Sequence, residues 1–295
     1  MNTTVNVMIL LRRVTMAVLI VVVAVLSPPV HATGVAMVTD LQGRAIASIG
    51  GRTRDLTILA ELEATAQVQL DSDATLVALY LDAGDEYVFK GPSTIEFKPG
   101  APEVRSGAKP ERRSLSLGRG GKDVRIKVVG VTQAAMVMRS IHADARIRPL
   151  TLNKTRTLER SPEFRWKGLG SGQKYRFELD DETGRAVFES VVEVPSLRLP
   201  ADVHIKEGVP YTWKVSAHLP DGTKYSSSGE FAVAGADLRS RAEFLRPPVS
   251  AAVSTRIAYA AWLDGVELKD EARKYWRGAA AERPNDARLK ELAAQ

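Results

Sequence analysis

Lys174-Tyr-Arg-Phe-Glu-Leu-Asp180 alternates without a break, so that in an extended chain Tyr175, Phe177 and Leu179 share one side while Arg176 and Glu178 share the other. A helix would scatter the same residues around its axis. Pro210-Tyr-Thr-Trp-Lys-Val-Ser-Ala217 repeats the pattern, with Tyr211, Trp213, Val215 and Ala217 on the inward side. Turn-forming stretches flank both: Asp181–Gly184 leads into an apolar run from Ala186 to Val194, and Pro220-Asp-Gly222 leads on to Gly229-Glu-Phe-Ala-Val233. Upstream, Ser161-Pro-Glu-Phe-Arg-Trp166 opens the series. Short strands, aromatics on one side only and polar turns predict a β-sandwich over residues 158–236. The period of two assigns Trp166, Tyr175, Phe177, Tyr211 and Trp213 to its core rather than to a sugar-stacking surface.

A second β unit precedes it. Strand-length runs at Val35–Leu41, Gly43–Ile49, Ala66–Leu70, Thr75–Leu81, Glu86–Phe89 and Ser93–Phe97 are divided by Gly50-Gly51, Asp71–Asp73, Asp82–Asp85 and Gly91-Pro92. Such spacing predicts an all-β meander or small barrel. Between Asp55 and Thr65 the pattern is ambiguous, because Leu56, Leu59 and Leu62 also suit a helical turn.

Four stretches of this unit, Gly43-Arg-Ala-Ile46, Ala66-Gln-Val-Gln-Leu70, Ala74-Thr-Leu-Val-Ala-Leu-Tyr-Leu-Asp-Ala-Gly84 and Tyr87-Val-Phe-Lys-Gly-Pro-Ser-Thr94, resemble the FecR-type periplasmic domain. The resemblance covers residues 34–105 and implies a β module of the bacterial envelope. It does not imply iron signalling, since the regulators that name the family carry a cytoplasmic anti-sigma region, and only 13 residues precede the apolar run here. The later unit resembles immunoglobulin-like or fibronectin type III-like modules, which implies a fold and no function.

Beyond the sandwich, residues 237–295 change to helical spacing. Ser254–Asp264 and Leu268–Arg283 are expected as two helices separated at Gly265, and Pro284-Asn285-Asp286 ends the second and begins a third at Ala287–Ala294. Ala260, Ala272, Ala279 and Pro284 resemble the small residues and proline of a tetratricopeptide-type hairpin. One such repeat cannot bury its own face, so it is expected to pack on the sandwich, cap it or dock on another protein. Trp262, Tyr275 and Trp276 are expected in the helical core, with interface anchors as the alternative.

The N-terminus carries an address. Arg12 and Arg13 precede a mostly apolar run, Val14–Leu26, and Val30-His31-Ala32 has small residues at the positions a signal peptidase reads. Residues 1–32 are therefore expected to be a secretory signal peptide, with a retained inner-membrane signal anchor as the alternative. The run is 13 residues, about 20 Å as a helix against the about 30 Å of a bilayer core. Once the peptide is removed, no stable transmembrane span is expected.

Composition narrows the chemistry. The chain has 295 residues, no cysteine and four histidines, which excludes disulfides, thiol nucleophiles and cysteine-ligated metals. The histidines His142, His204 and His218 belong to no ligand-spaced motif. Gly118-Arg-Gly-Gly-Lys122 fails the phosphate-loop spacing, with Ser116 where a glycine and Asp123 where a hydroxyl is needed. Gly168-Leu-Gly-Ser-Gly172 lacks the nucleophile-elbow pattern and is expected to join a hairpin. The acidic groups Asp71/Asp73, Asp82/Asp85/Glu86 and Asp180/Asp181/Glu182 sit at expected turns, and none has the calcium-loop pattern. No catalytic residue, metal or cofactor is expected.

Charge supplies one asymmetry. The formal net charge of +6 falls to +4 without residues 1–32, and Arg105–Arg160 alone holds 14 Lys/Arg against 4 Asp/Glu. Residues 106–157 are read as a basic connecting region, with a solvated linker over Pro99–Gly121 and a strand pair at Val124–Val131 and Ala134–Ile141. Its alternative role is to bind an anionic surface through Arg112, Arg113, Arg119, Lys122, Arg125 and Lys127. Arg105–Arg160 contains no Phe, Tyr or Trp, so the stacking platforms of single-stranded nucleic-acid binders are missing and no nucleic-acid partner is expected.

The sequence thus predicts a mainly β chain: signal peptide (1–32), FecR-like β domain (33–105), basic connector (106–157), Ig-like β-sandwich (158–236) and a C-terminal helical hairpin (237–295). The expected function is non-enzymatic binding or scaffolding in the periplasm, with an envelope protein or an anionic cell-surface component as partner. A ligand-sensing accessory acting through a partner, and a cell-wall or carbohydrate-associated enzyme, are the alternatives.

Overall fold

The computed structural model describes residues 34–114 and 147–295. The chain is mainly β, with antiparallel sheets followed by a C-terminal helical region. The first unit contains β1 (Gly34–Gln42), β2 (Ala45–Ile49), β3 (Arg52–Asp55), β4 (Glu61–Glu63), β5 (Gln67–Leu70), β6 (Thr75–Tyr80), β7 (Asp85–Lys90), β8 (Ser93–Glu96), β9 (Glu103–Ser106) and β10 (Glu111–Ser114). They form two sheets, β10-β7-β6-β1-β4 and β3-β2-β5-β8-β9, where a meander or barrel was expected. Ala36, Val38, Leu76, Ala78, Tyr80, Tyr87 and Phe89 of the first sheet meet Ala45, Ala47, Val68, Leu70 and Ile95 of the second in a shared core.

The expected strands from Val35 to Phe97 form, and the ambiguous stretch becomes turns and the short β4 rather than a helix. Its apolar residues are divided between neighbours: Leu56 and Leu62 enter the core between the sheets. Ile58 instead joins a cluster built by the helices. The boundary expected at residue 105 is crossed, and the linker expected over Pro99–Gly121 begins as two edge strands, one added to each sheet. β9 pairs with β8, and β10 pairs with β7 with Arg112 opposite Tyr87 and Arg113 opposite Glu86. Gly107, at φ 107°, makes the approach possible, because a Cβ there would lie 2.5 Å from the Ser93 Cβ and 2.7 Å from the Pro92 carbonyl oxygen. The signal segment, the strand pair expected at Val124–Val131 and Ala134–Ile141, and Arg119, Lys122, Arg125 and Lys127 lie outside the described residues.

The second unit comprises β11 (Arg148–Pro149), β12 (Thr155–Thr157), β13 (Glu163–Lys167), β14 (Tyr175–Asp180), β15 (Ala186–Val192), β16 (Ser196–Arg198), β17 (Pro210–His218) and β18 (Lys224–Val233). A three-stranded sheet, β11-β13-β16, and a five-stranded sheet, β12-β18-β17-β14-β15, close on Phe164, Trp166, Tyr175, Phe177, Tyr211, Trp213 and Phe231. Phe164 sits 4.8 Å from Phe177 and 5.6 Å from Trp213, centroid to centroid, at tilted and edge-on angles that aromatic pairs favour. The Gly168–Gly172 connection crosses from one sheet to the other instead of closing a hairpin. Tyr175 holds it, accepting a hydrogen bond from Leu169 N–H at 2.9 Å. The unit reaches back to β11 and β12, before the boundary expected at residue 158.

Four helices follow among the described residues: α1 (Ala236–Leu245), α2 (Val253–Gly265), α3 (Lys269–Glu282) and α4 (Ala287–Ala294). Asp286 caps α4 by accepting from Leu289 N–H at 2.8 Å. The turn between α2 and α3 is made by Glu267, at φ 66°, not by Gly265, which is still helical. No helix among the described residues is long and apolar enough to cross a membrane.

α2 is covered on nearly all sides, with ten of its thirteen residues buried. Met37 and Leu79, opposite one another on β1 and β6, turn away from their own sheet core and join Ile257, Tyr259, Trp262 and Trp276 in one cluster. The helices therefore pack on the outer face of the first β unit as well as on the sandwich expected to receive them. Asp40 and Arg283 pin the first contact with two hydrogen bonds, 3.2 Å from Nε and 2.8 Å from Nη2. On the sandwich side, Asp270 of α3 accepts from Leu152 N–H at 2.7 Å and from Arg273 at 2.7 Å.

Because Asp40 is nearly buried, Arg283→Ala is expected to cost about 1–3 kcal/mol in urea unfolding. Removing the exposed Arg44 from Asp55, where both side chains are more than 60% accessible, is expected to change stability by no more than the error of the same measurement. Equal losses from the two variants would show that the Asp40–Arg283 contact does not hold the helices to the β unit.

Candidate functional site

Two of the six cations singled out in the sequence can be placed, and both are tied to the frame. Arg112 on β10 lies 2.6 Å from Asp85 of the neighbouring strand. Arg113 shares the outer face of the sheet with Glu86 directly across from it. Glu86 is 3% accessible and accepts a long 3.4 Å hydrogen bond from the Thr39 hydroxyl. Burial pushes its carboxyl above the usual range, while Ser254 of α2, Arg113 and Thr39 pull it back and Asp40 adds to the rise. The Ser254 hydroxyl makes no hydrogen bond of good geometry, so its help to the carboxylate is weak.

Two carboxylates of the Asp180/Asp181/Glu182 turn are likewise engaged. Asp180 takes Lys214 at 2.6 Å. Asp181 closes its own turn, accepting from the Thr183 hydroxyl at 2.6 Å and from the main-chain N–H groups of Thr183 and Arg185. The Thr183 hydroxyl leads these donors in holding the Asp181 carboxyl below its usual range. His204 and His218 are exposed. Among the described residues no group of three or more His, Asp or Glu is placed to hold a metal ion.

A site that sequence reading did not isolate lies where the sandwich meets the helical hairpin. An open cleft of about 650 Å³ is bounded by Lys154, Arg156 and Lys269, by Glu230 and Glu267, and by the main chain around Gly208, Pro210 and Gly235. Thr155 organises it: its hydroxyl donates to the Glu267 carbonyl at 3.0 Å and accepts from Lys269 N–H at 3.0 Å. The Arg156 N–H donates to the same carbonyl at 2.7 Å, and the guanidinium reaches the Glu267 carboxylate at 3.1 Å. Lys154 and Glu267 both have positive φ, 51° and 66°, an uncommon conformation for residues with a side chain. The only sequence signal for this cleft was that Lys154 and Arg156 belong to the basic stretch; their meeting with Glu267 and Lys269 depends on the docking of the helices.

The basic stretch is partly neutralised from outside itself. Arg105 binds Glu96 and Glu103, both at 2.5 Å, Arg156 binds Glu267, and Arg160 binds Glu207 at 2.6 Å. Glu207 is shared with Arg239, and these two arginines, Arg239 first, hold its carboxyl below the usual range.

The chain matches no protein-family model and no curated protein. Among solved structures it is similar to CopC from Methylosinus trichosporium OB3b, at 21% identity and a TM-score of 0.23, over 30% of this chain and 94% of that one. It is also similar to PorZ, a bacterial surface component of the type-IX secretion system of Porphyromonas gingivalis, at 14% identity and a TM-score of 0.22. That likeness spans 65% of this chain and 25% of PorZ. At these scores neither likeness carries an argument.

The raised Glu86 carboxyl fixes a direction for pH dependence. The folded chain holds the proton more tightly than the unfolded one, so this group's contribution weakens the fold as pH rises from about 4.5 through the folded-state pKa. Glu86→Gln is therefore expected to raise the melting temperature relative to the native chain at pH 8, with the gain shrinking toward pH 4.5. A difference independent of pH would show that Glu86 does not titrate at the helix contact.

Proposed function

We propose that the chain is an exported, non-enzymatic binding or scaffold protein of the bacterial cell envelope, built around a FecR-like β unit. The observation that carries this reading is the use made of its carboxylates. Asp85 serves Arg112, Asp180 serves Lys214 and Asp181 serves its own turn, so these three work for the frame, while Glu86 is sealed beneath the helices. Residues 1–32 act as the export signal, and the mature chain works in the periplasm without a disulfide, relying on packed cores.

Recognition falls to the surface the frame presents. The partner is an envelope protein or an anionic cell-surface component, met by the basic stretch between the two β units. Arg112 takes part chiefly by holding Asp85 and Arg113 stands across from Glu86, whereas Arg119, Lys122, Arg125 and Lys127 are the contacts. The cleft at Lys154, Arg156 and Lys269 adds a second polar surface.

Retention of the mature chain on isolated envelope fractions tests this. Retention is expected to fall about tenfold or more when Arg119, Lys122, Arg125 and Lys127 are reversed to Glu together. It should fall likewise between 0.15 and 1 M salt, as the screening length drops from about 8 to about 3 Å. Retention that ignores both changes removes the anionic partner, and failure to bind any envelope fraction or protein removes the binding role.

A further inference from the structure

The two edges of the five-stranded sandwich sheet are finished differently. At β12 the helical hairpin covers the edge, through the Arg156 N–H to the Glu267 carbonyl. At β15 no strand among the described residues pairs with the outward main chain. Such edges are usually guarded by lysine, proline or short length. In the first β unit the edge strands β3 and β10 are charged and fully exposed. β15 is seven residues long, has neither lysine nor proline, and exposes 63% of Val191.

Its sequence is also complementary to itself. Phe188, Ser190 and Val192 stand opposite Leu179, Phe177 and Tyr175 of β14, and so continue the row that faces the core. Phe188 and Val192 pack on that core but are only partly buried, leaving the apolar row unfinished at the edge. Glu189 and Val191 face outward, opposite Glu178 and Arg176, and Arg176 holds Glu189 at 2.9 Å. Phe188 and Val192 are equidistant from Ser190. A two-fold axis through Ser190 therefore sets Phe188 against Val192 twice and Glu189 against Val191 twice, with no like charges opposed. Sliding the register about the axis to Glu189 would oppose two carboxylates, which is unfavourable. The irregularity between Leu179 and Asp180 breaks the ladder before Ala186 and confines regular pairing to the Phe188–Val192 stretch.

We propose that the edge of β15, unpaired among the described residues, pairs antiparallel with β15 of a second copy of this chain, in the register centred on Ser190, making one continuous sheet across two molecules. The interface is isologous, each copy offering the same patch. A five-residue ladder is far smaller than the about 1,200 Å² of a stable complex, so the association is reversible and depends on concentration. A strand from another protein would satisfy the same main-chain groups without obeying this register.

The absence of cysteine makes an introduced thiol unique. Ser190→Cys, half-buried on the core-facing row and first confirmed to react with a single maleimide, is then treated with a short bis-maleimide and is expected to give a covalent dimer whose yield rises with protein concentration. Ser228→Cys, exposed on β18 inside the same sheet, reports the collision background. In the Ser190→Cys chain, Val191→Glu brings a charge against Glu189 of the second copy and should lower the yield about two- to tenfold, whereas Val191→Lys should raise it. Both surface variants are checked for an unchanged melting temperature. No dimer above the Ser228→Cys background overturns the proposal, as does an equal loss with Glu and Lys, which would indicate apolar contact without register.

Discussion

The structure depends on the burial of one helix against two different neighbours. α2 has apolar residues around nearly its whole circumference, and such a helix is stable only when enclosed. The outer face of β1 and β6 supplies one wall, through Met37 and Leu79, and α3 supplies another, through Ala272, Trp276 and Ala279. Small residues at Ala258, Ala260, Ala261 and Ala272 keep the approach close. From this follow the position of Arg283 beside Asp40, the burial of Glu86, and the presentation of the α2–α3 turn to the edge of the sandwich.

Polar groups at these contacts convert a greasy wall into a specific one. Leu152, Thr155 and Arg156 exchange main-chain and side-chain hydrogen bonds with Glu267, Lys269 and Asp270, so the sandwich can meet the helices in one arrangement only. The left-handed conformations of Leu152, Lys154 and Glu267 occur on the two sides of this seam. Their strain is held by the bonds around them. The same seam accounts for part of the charge asymmetry: cations of the basic stretch meet acids brought from distant parts of the chain, as Arg156 meets Glu267 and Arg160 meets Glu207.

Strands whose alternation buries one face were legible in the sequence. Tyr175, Phe177 and Leu179, and Tyr211, Trp213, Val215 and Ala217, are all buried as their period of two requires. The edge strands β9 and β10 were illegible because their residues, Glu103 to Ser106 and Glu111 to Ser114, are mostly exposed and charged and carry no apolar period. The crossing at Gly168–Gly172 was misread for a different reason: a glycine-rich turn has the same local chemistry whether it joins neighbours in one sheet or spans two. β6, Thr75–Tyr80, reads as a near-continuous apolar run because both of its faces are covered, one by a sheet and one by helices. That double covering was the available hint that something would pack outside the first unit. The cleft at Lys154 and Lys269 had no such hint, since it forms only from tertiary docking.

The covering of the first β unit by the last helices also has a consequence in time. Asp40 and Arg283 are 243 residues apart. At about 5–20 residues per second, synthesis of that interval takes about 12–50 s. Throughout it, Met37, Leu79 and the carboxylates of Asp40 and Glu86 belong to a nascent unit whose outer wall does not yet exist. Whenever the N-terminal β unit folds ahead of the helices it is left with a sticky outer face, and a chaperone that shields this one face would serve as a temporary α2.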